Sequence, residues 1–508
     1  MKKLFFMALA FMALPIAAQE TYENTNMVDN DLNGTARYVG MGGAMEALGA
    51  DISTISTNPA GIGLFRSSQV SASFGVISQQ DVDNFSPGNK TNMSFDQIGL
   101  VYALRNGRKS FLNVAFNYHK SRNFNQILSA ADNLSNASQN KLTYAKLKNE
   151  VMTSKNDPTY NQLDAIYTES LLYNSDDETY YNYPATSYTL DRATQGYIGE
   201  YDFNISGNIK DRVYLGMTFG IHDVHYKHYG EYYETMVPNV DNIDHLLVMD
   251  QREITGTGLD IKAGIIFRPI ENSPFRVGLS VATPTWYDLN TANYTRVTDG
   301  NYTAPTEESY DFKLYTPWKF GASLGHTVGN YLALGASYEY ANYGNMDTRI
   351  NDGGYYDYWY GYTETSSSDA DMNDHTKNTL KGVSTFKIGA EYKPMPEFAI
   401  RMGYNYISPM YNQDGFKDGT VWSPGSYYAS ATDYTNWKST NRITVGFGYA
   451  IGKLNLDLAY QYSATNGEFY PFMGYYDGAT ASDDDNIATA VDVSNKRHQV
   501  LFTIGYRF

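Results

Sequence analysis

Between Lys453 and Ser463 apolar and polar side chains alternate. Leu454, Leu456, Leu458, Tyr460 and Tyr462 hold one parity, and Lys453, Asn455, Asp457, Gln461 and Ser463 hold the other. A period of two belongs to an extended strand, whose successive side chains point to opposite faces, so the stretch predicts a strand with one apolar and one wet face. The pattern recurs. Leu332, Leu334, Ala336, Tyr338 and Tyr340 oppose Gly335, Ser337 and Glu339; Phe398, Ile400, Met402, Tyr404 and Tyr406 oppose Arg401, Gly403 and Asn405; Ile443, Val445, Phe447 and Tyr449 oppose Arg442, Thr444, Gly446 and Gly448. Along the chain about fourteen such segments are predicted, near residues 68–79, 94–105, 109–121, 196–209, 212–225, 256–268, 275–287, 308–327, 330–342, 380–393, 397–408, 439–452, 453–464 and 496–508. The number is even, as closure of a bacterial barrel requires.

The connections separate a barrel from a soluble sandwich. Those at 105–108, 209–211, 268–274, 328–329, 393–397 and 452–453 are tight, whereas 122–195, 226–255, 288–307, 343–379, 409–438 and 465–495 are long, and the two kinds alternate. An up-and-down barrel inserted from one side puts its short turns at the periplasmic rim and its long loops outside. The fold class expected is therefore all-β, a transmembrane antiparallel β-barrel of about fourteen strands with both chain ends on the periplasmic side. In the largest insertion, 122–195, Ile127, Leu134, Leu142, Leu147, Val151, Leu163, Ile166, Leu171 and Leu172 are spaced at loosely helical intervals and predict two or three short helices over the mouth.

Composition alone does not announce a membrane protein: 508 residues with a net charge of -17, 47 Tyr and no Cys would pass as two or three soluble domains. Apart from the first residues, no apolar run reaches the roughly 18 residues a spanning helix needs. Lys2 and Lys3, the apolar run from Leu4 to Ile16 and Ala17-Ala18 have the build of a signal peptide, 1–18. Residues 19–66 form an N-terminal lead-in and plug, and 67–508 the barrel. Residues 19–36 are polar and predict a mobile linker. From Arg37 to Arg66 the chain is too rich in Gly and Ala to bury a core of its own and needs an enclosure, and Asn58-Pro59-Ala60-Gly61 marks a tight, Gly-permissive turn.

The excess of acid argues against nucleic acid, which needs clustered Lys and Arg. Asp29, Asp31, Asn33 and Gly34 imitate the start of a calcium loop, but its twelfth position is Gly40 in place of a bidentate Glu, so no metal is assigned there. His222, His225 and His228 lie on a strand whose alternation turns His225 away from the other two, which favours rim histidines over a metal or haem set. Asp483-Asp484-Asp485 reads as a solvated loop tip near lipopolysaccharide. No nucleophile triad, phosphate loop or His-Glu-x-x-His pattern is present, so neither catalysis nor a cofactor is proposed. On the wet parity, Asp202, Asp260, Lys262, Arg276, Glu339, Lys387, Arg401, Arg442 and Asp457 supply both signs of charge for contacts with the plug. Lys262, Arg276, Arg401 and Arg442 are the candidates to meet a ligand carboxylate.

Arg37, Gly40-Met41-Gly42-Gly43-Ala44, Ala47-Leu48-Gly49-Ala50-Asp51 and Asn58-Pro59-Ala60-Gly61 with Leu64 resemble the N-terminal hatch of the FadL/TodX family of outer-membrane transporters for hydrophobic compounds. The last strand, ending Val500, Phe502, Ile504, Tyr506, Phe508 on one parity, resembles the signal that barrel-insertion machinery reads. The resemblance implies a monomer in the outer membrane of a Gram-negative bacterium. It implies passive uptake of long-chain fatty acids or aromatic hydrocarbons: capture by outer loops, passage into an apolar lumen, and release when a hatch at Asn58, Pro59, Ala60 and Gly61 shifts, with lateral exit beside a kinked strand. The predicted third strand, Lys109–Ser121, contains no Gly or Pro to announce that kink. A general diffusion porin is the alternative, and a haem receptor a weaker one.

Overall fold

A computed structural model describes residues 20–508 except 108, 153–156, 158, 239–241, 300–302, 360, 477–482 and 484. The expected signal peptide and Asp484 lie outside the described residues. Fourteen antiparallel strands close into one cylinder: β1 Gln69–Gln80, β2 Thr91–Arg105, β3 Phe111–Asn123, β4 Ala185–Ile209, β5 Val213–Met236, β6 His245–Phe267, β7 in two segments (Arg276–Ala282 and Trp286–Thr298), β8 in two segments (Thr303–Tyr315 and Lys319–Val328), β9 Leu332–Asn342, β10 Gly382–Met395, β11 Phe398–Ile407, β12 Tyr434–Ile451, β13 Leu454–Tyr470 and β14 Val491–Arg507. Each pairs with its neighbours in sequence. The last strand meets the first from Gln69↔Arg507 to Gln80↔Lys496, and Phe508 donates its N–H to Ser68 O at 3.0 Å. Closure leaves no unpaired edge, which is what makes a sheet tolerable in lipid.

The parity read from the sequence sets the two faces. Phe74, Ile205, Met217, Phe386, Ile443, Leu458 and Phe502 point outward and are exposed, whereas Ser73, Ser206, Thr218, Thr444, Leu501 and Thr503 point inward and are buried. No described helix is long and apolar enough to cross a membrane. The tight turns fall where expected. In Ile209-Lys210-Asp211-Arg212 both central residues take positive φ, 54° and 55°, the twist that suits a two-residue hairpin turn, and Asn208 Oδ1 accepts the Asp211 N–H at 2.8 Å.

Three expectations need correcting. The connections 226–255 and 288–307 are largely strand: β5 runs on to Met236, β6 begins at His245, and β7 and β8 continue to Thr298 and from Thr303. On these extensions the outer face is polar and the apolar residues turn inward, as Tyr226, Tyr232 and Val248 do; Lys227 and Glu253 pair on the outside at 3.1 Å, both about half-exposed. The insertion after β3 does contain helices, Gln139–Lys148 and Gln162–Tyr167, but it opens with a strand, Gln126–Ala137, that lies against β4. Lastly, the residues expected to form a mobile linker are packed into the bore, with Thr21, Tyr22, Asn24, Thr25, Met27 and Val28 buried.

The wall breaks elsewhere than in β3, which carries only a bulge between Lys120 and Arg122. Strands β7 and β8 are each interrupted at a proline, Pro284 and Pro317, and the pairing on either side (Ala282↔Lys319, Trp286↔Tyr315) sets the two prolines opposite each other. Neither has an N–H to donate, so the ladder fails on both strands at one level.

Candidate functional site

The segment Glu20–Arg66 fills the bore. Its short helix Ala36–Gly40 is capped by Thr35, whose hydroxyl accepts the Tyr38 N–H at 3.1 Å and donates to Asp51 at 2.8 Å. Asp51 caps the next turn by accepting the Ser53 N–H at 3.0 Å, and Asn58 caps the 3-10 helix Pro59–Leu64 by accepting the Ala60 N–H at 3.2 Å. The plug is thus a chain of single turns, each ended by its own cap, because glycines break any longer helix. The helix formers between Gly40 and Asp51 build turns, not the helical middle their propensities suggest.

From Ala36 to Arg66 only Arg37, Glu46, Asp51 and Arg66 carry charge, and each is engaged. Arg37 forms a two-pronged pair with Glu391 of β10, 3.0 Å from Nε and 3.2 Å from Nη2. Glu391 also accepts from Arg401 at 2.7 Å, and Arg401 reaches Asp457 at 2.6 Å. Glu46 accepts from Lys387 Nζ at 2.8 Å and from the Ser337 hydroxyl. Arg66 pairs with Asp211 in the β4–β5 turn. Neutral wall groups take the plug's carbonyls: Asn113 donates to Ile62 O at 2.6 Å, Ser206 to Pro59 O at 2.9 Å and Thr218 to Ile55 O at 2.9 Å. Wall glycines let the backbones touch. A Cβ at Gly335 would lie 1.9 Å from Ala44 O, and one at Gly389 would lie 2.2 Å from Met41 O.

The four predicted cations are not brought together. Lys262 sits among Glu200, Asp202 and Asp260; Arg276 donates to Leu48 O at 2.8 Å; Arg401 belongs to the Arg37 network; Arg442 lies 3.6 Å from Asp31 and donates to Asn405 at 3.3 Å. Asn58, Pro59, Ala60 and Gly61 are buried, and the Asn58 amide donates to Leu279 O at 3.4 Å. The lead-in supplies anchors that sequence reasoning missed. Arg122 holds Asp29 at 2.7 Å, the Asn123 N–H donates to Asp31 at 2.8 Å, and Arg252 pairs with Glu23. Burial pushes the Glu23 carboxyl up, but the Arg252 guanidinium outweighs it and holds the group down at about 2. The one available signal was an acid recurring through a lead-in otherwise built of neutral polar residues.

Above the plug the lumen turns aromatic. Tyr22 stacks on Tyr411 with ring centroids 5.2 Å apart, Tyr434 on Tyr470 at 4.6 Å, and Phe124 meets Tyr226 edge-on at 5.0 Å. Helices Gln139–Lys148 and Gln162–Tyr167 cover this chamber, joined by the wholly buried pair Lys146–Asp164. Lys141 Nζ ties the helical cover to the carbonyls of Asp483 and Asp485, at 2.8 and 2.9 Å. The cavities left inside are small, about 130 Å³ between plug and wall beside Lys262 and about 140 Å³ beside Arg122 and Trp437. Larger hollows of about 400 and 450 Å³ lie around Arg37, Arg66 and Lys393 at the end of the barrel that carries the tight turns.

No protein-family model and no curated protein sequence matches the chain. Among solved structures, it is similar to the toluene transporter TbuX of Ralstonia pickettii, with 13% identity, a TM-score of 0.48, and 94% of this chain and 99% of that one covered. It is similar also to the monoaromatic hydrocarbon channel CymD (11%, TM-score 0.49, 94% and 99% covered) and to a Pseudomonas aeruginosa FadL homologue (11%, TM-score 0.49, 97% and 100% covered). The likeness runs nearly the full length of each chain.

Proposed function

We propose that the protein is an outer-membrane channel of a Gram-negative bacterium for passive uptake of hydrophobic small molecules, closed at rest by its own N-terminal hatch and not an enzyme. The observation that carries this reading is the filled bore. Drug-sized ligands occupy pockets of roughly 300–1,000 Å³, and the interior cavities of about 130 and 140 Å³ are far below that. Anything larger than a few waters passes only when the hatch shifts. The hatch can shift without breaking the barrel, because its fastenings, side-chain contacts and one main-chain bond from the Asp31 N–H to Ser121 O at the β3 bulge, lie outside the strand ladder. An aromatic antechamber suits apolar cargo, and the apolar outer face suits a lipid and lipopolysaccharide surround.

Within that class uncharged compounds, aromatic hydrocarbons before fatty acids, are favoured: Lys262, Arg401 and Arg442 already face carboxylates of the wall or hatch, and Arg276 donates to the Leu48 carbonyl. A general porin fits less well, since it needs an unobstructed bore. Proteoliposomes test the reading. Small sugars are excluded by the full-length protein and admitted once residues 20–66 are deleted, while a hydrophobic fluorophore enters in both cases. Free sugar flux through the intact protein, unchanged by the deletion, refutes it.

A further inference from the structure

One ring of the aromatic chamber belongs to the segment that has to move. Tyr22 lies on the one-turn helix Thr21–Asn24 of the lead-in, not on a wall strand, and only 7% of it is exposed. Its ring stacks on Tyr411 at 5.2 Å with 14° between the planes, and Tyr434 meets it at 5.0 Å with the planes tilted by 56°. Its hydroxyl donates to Asn436 Oδ1 at 2.9 Å. Asn436 Nδ2 donates in turn to Gly415 O at 2.7 Å, which fixes the amide with its oxygen aimed at the ring's hydroxyl. Two aromatic walls and one fixed acceptor are what a receptor for a phenol requires. The packing here is loose. A hollow of about 90 Å³ touches Tyr22, Tyr411 and Tyr434, and the one of about 140 Å³ reaches Tyr411 and Trp437. A ring serving only as core filler sits at crystal-like density, with few voids larger than a water. An apolar cavity of roughly 150 Å³ holds a benzene; the smaller hollow joined to the space of the Tyr22 ring reaches that scale.

We propose that Tyr22 fills the cargo's own seat in the resting protein, and that the cargo is a neutral phenol carrying a small alkyl group opposite its hydroxyl. The inference rests on the channel reading and narrows it. 4-Methylphenol is the Tyr22 side chain cut at its Cβ, so it reproduces both ring contacts and the bond to Asn436. A longer alkyl group takes the place of the Tyr22 backbone once that backbone has left. Such a phenol is uncharged at neutral pH, its pKa being about 10, and calls on none of the wall's cations. Ligand and tyrosine exclude each other, so binding draws the lead-in out of the chamber. The fastenings there are shared: the Thr25 hydroxyl lies 2.9 Å from the Tyr411 hydroxyl, and the Thr21 hydroxyl 2.7 Å from that of Thr376. The freed segment continues into the plug, so arrival of cargo from outside is coupled to the first movement of the hatch.

The test titrates the full-length protein in detergent with 4-methylphenol and with toluene by calorimetry. With the tyrosine seated more than about nine-tenths of the time, wild type binds 4-methylphenol at least about tenfold more weakly than Tyr22→Ala does. In Tyr22→Ala, 4-methylphenol outbinds toluene by about tenfold, the worth of one hydrogen bond to a fixed acceptor, and adding Asn436→Leu removes the difference. In wild type, saturating 4-methylphenol lowers amide protection at 20–28 while the strands stay protected, a response that a ring present only for packing would not give. Heat-modifiable gel mobility reports whether each variant keeps its barrel, and the wild-type exchange measurement needs no variant. Equal affinities in wild type and Tyr22→Ala, equal affinities for the phenol and toluene in Tyr22→Ala, or protection at 20–28 that holds or rises with ligand overturns the proposal. Sugar exclusion in proteoliposomes is read separately: these failures with exclusion intact sink the seat and leave the channel standing, whereas free sugar flux sinks the channel itself.

Discussion

The Lys387–Glu46 pair offers the sharpest test of how the hatch is held. Both side chains are over nine-tenths buried, their atoms are 2.8 Å apart, and one belongs to the wall and the other to the plug. Removing one member of a buried pair costs about 3–5 kcal/mol, because the survivor stays desolvated. In Lys387→Met the Ser337 hydroxyl still donates to Glu46, so the low end, about 3 kcal/mol, applies. At roughly 1.4 kcal/mol per factor of ten, the ratio of seated to unseated hatch falls by about a hundredfold. Planar-bilayer recordings of single barrels read this directly as open fraction. Lys387→Met should open about a hundred times more often than wild type at the same unit conductance, and Lys387→Glu, which sets two carboxylates together, more often still. The exchange Lys387→Glu with Glu46→Lys should bring the open fraction back to within about tenfold of wild type. Unchanged open fractions in both single variants would refute the idea that this pair holds the hatch.

Further outcomes follow from the same geometry. Gly335→Val places a side chain where a Cβ alone would be 1.9 Å from Ala44 O; the hatch must withdraw, and trypsin should cut after Arg37 in the variant but not in wild type. Glu23 is held at about 2 in the folded protein against an ordinary 4.5. Its contribution is therefore complete above about pH 4.5 and fades as pH falls toward 2, so the hydrogen-exchange protection factors at 20–30, corrected for the intrinsic rate at each pH, should be flat from pH 8 to 5 and fall below that. Lys146→Ala breaks the buried pair with Asp164; proteolysis within 139–172 should accelerate by about two orders of magnitude while heat-modifiable mobility of the barrel stays unchanged.

Strand number, facing and the positions of the tight turns were legible in the sequence, because an apolar outer face and a wet bore impose opposite demands on neighbouring residues; the alternation of tight with long connections was not, since β7 and β8 continue to Thr298 and from Thr303. Where that contrast ends, legibility ends with it. The upper halves of β5 to β8 reverse the pattern, with polar residues such as Lys227 and Glu253 outside and Tyr226, Tyr232, Leu246 and Val248 buried inside, and they read as loop. The plug could be recognised as a segment needing an enclosure, and the wet-parity charges as its contacts; Lys387, Arg401 and Arg442 do meet it directly or through one carboxylate. Which charge meets which could not be read. Arg37 and Glu391 are separated by 354 positions, and nothing local in either foretells the other.

The histidines mark the same boundary more finely. Alternation along β5 did separate His225 from His222 and His228, since a strand's period is an intrinsic property of the chain. That His222 shares Glu200 with His119 is decided only by the stagger of β3, β4 and β5, through the pairings His119↔Glu200 and Glu200↔His222. Side-chain direction is a one-dimensional property, set residue by residue by the backbone's own period. Neighbourhood across a barrel is set by closure and register, which exist only once all fourteen strands have paired.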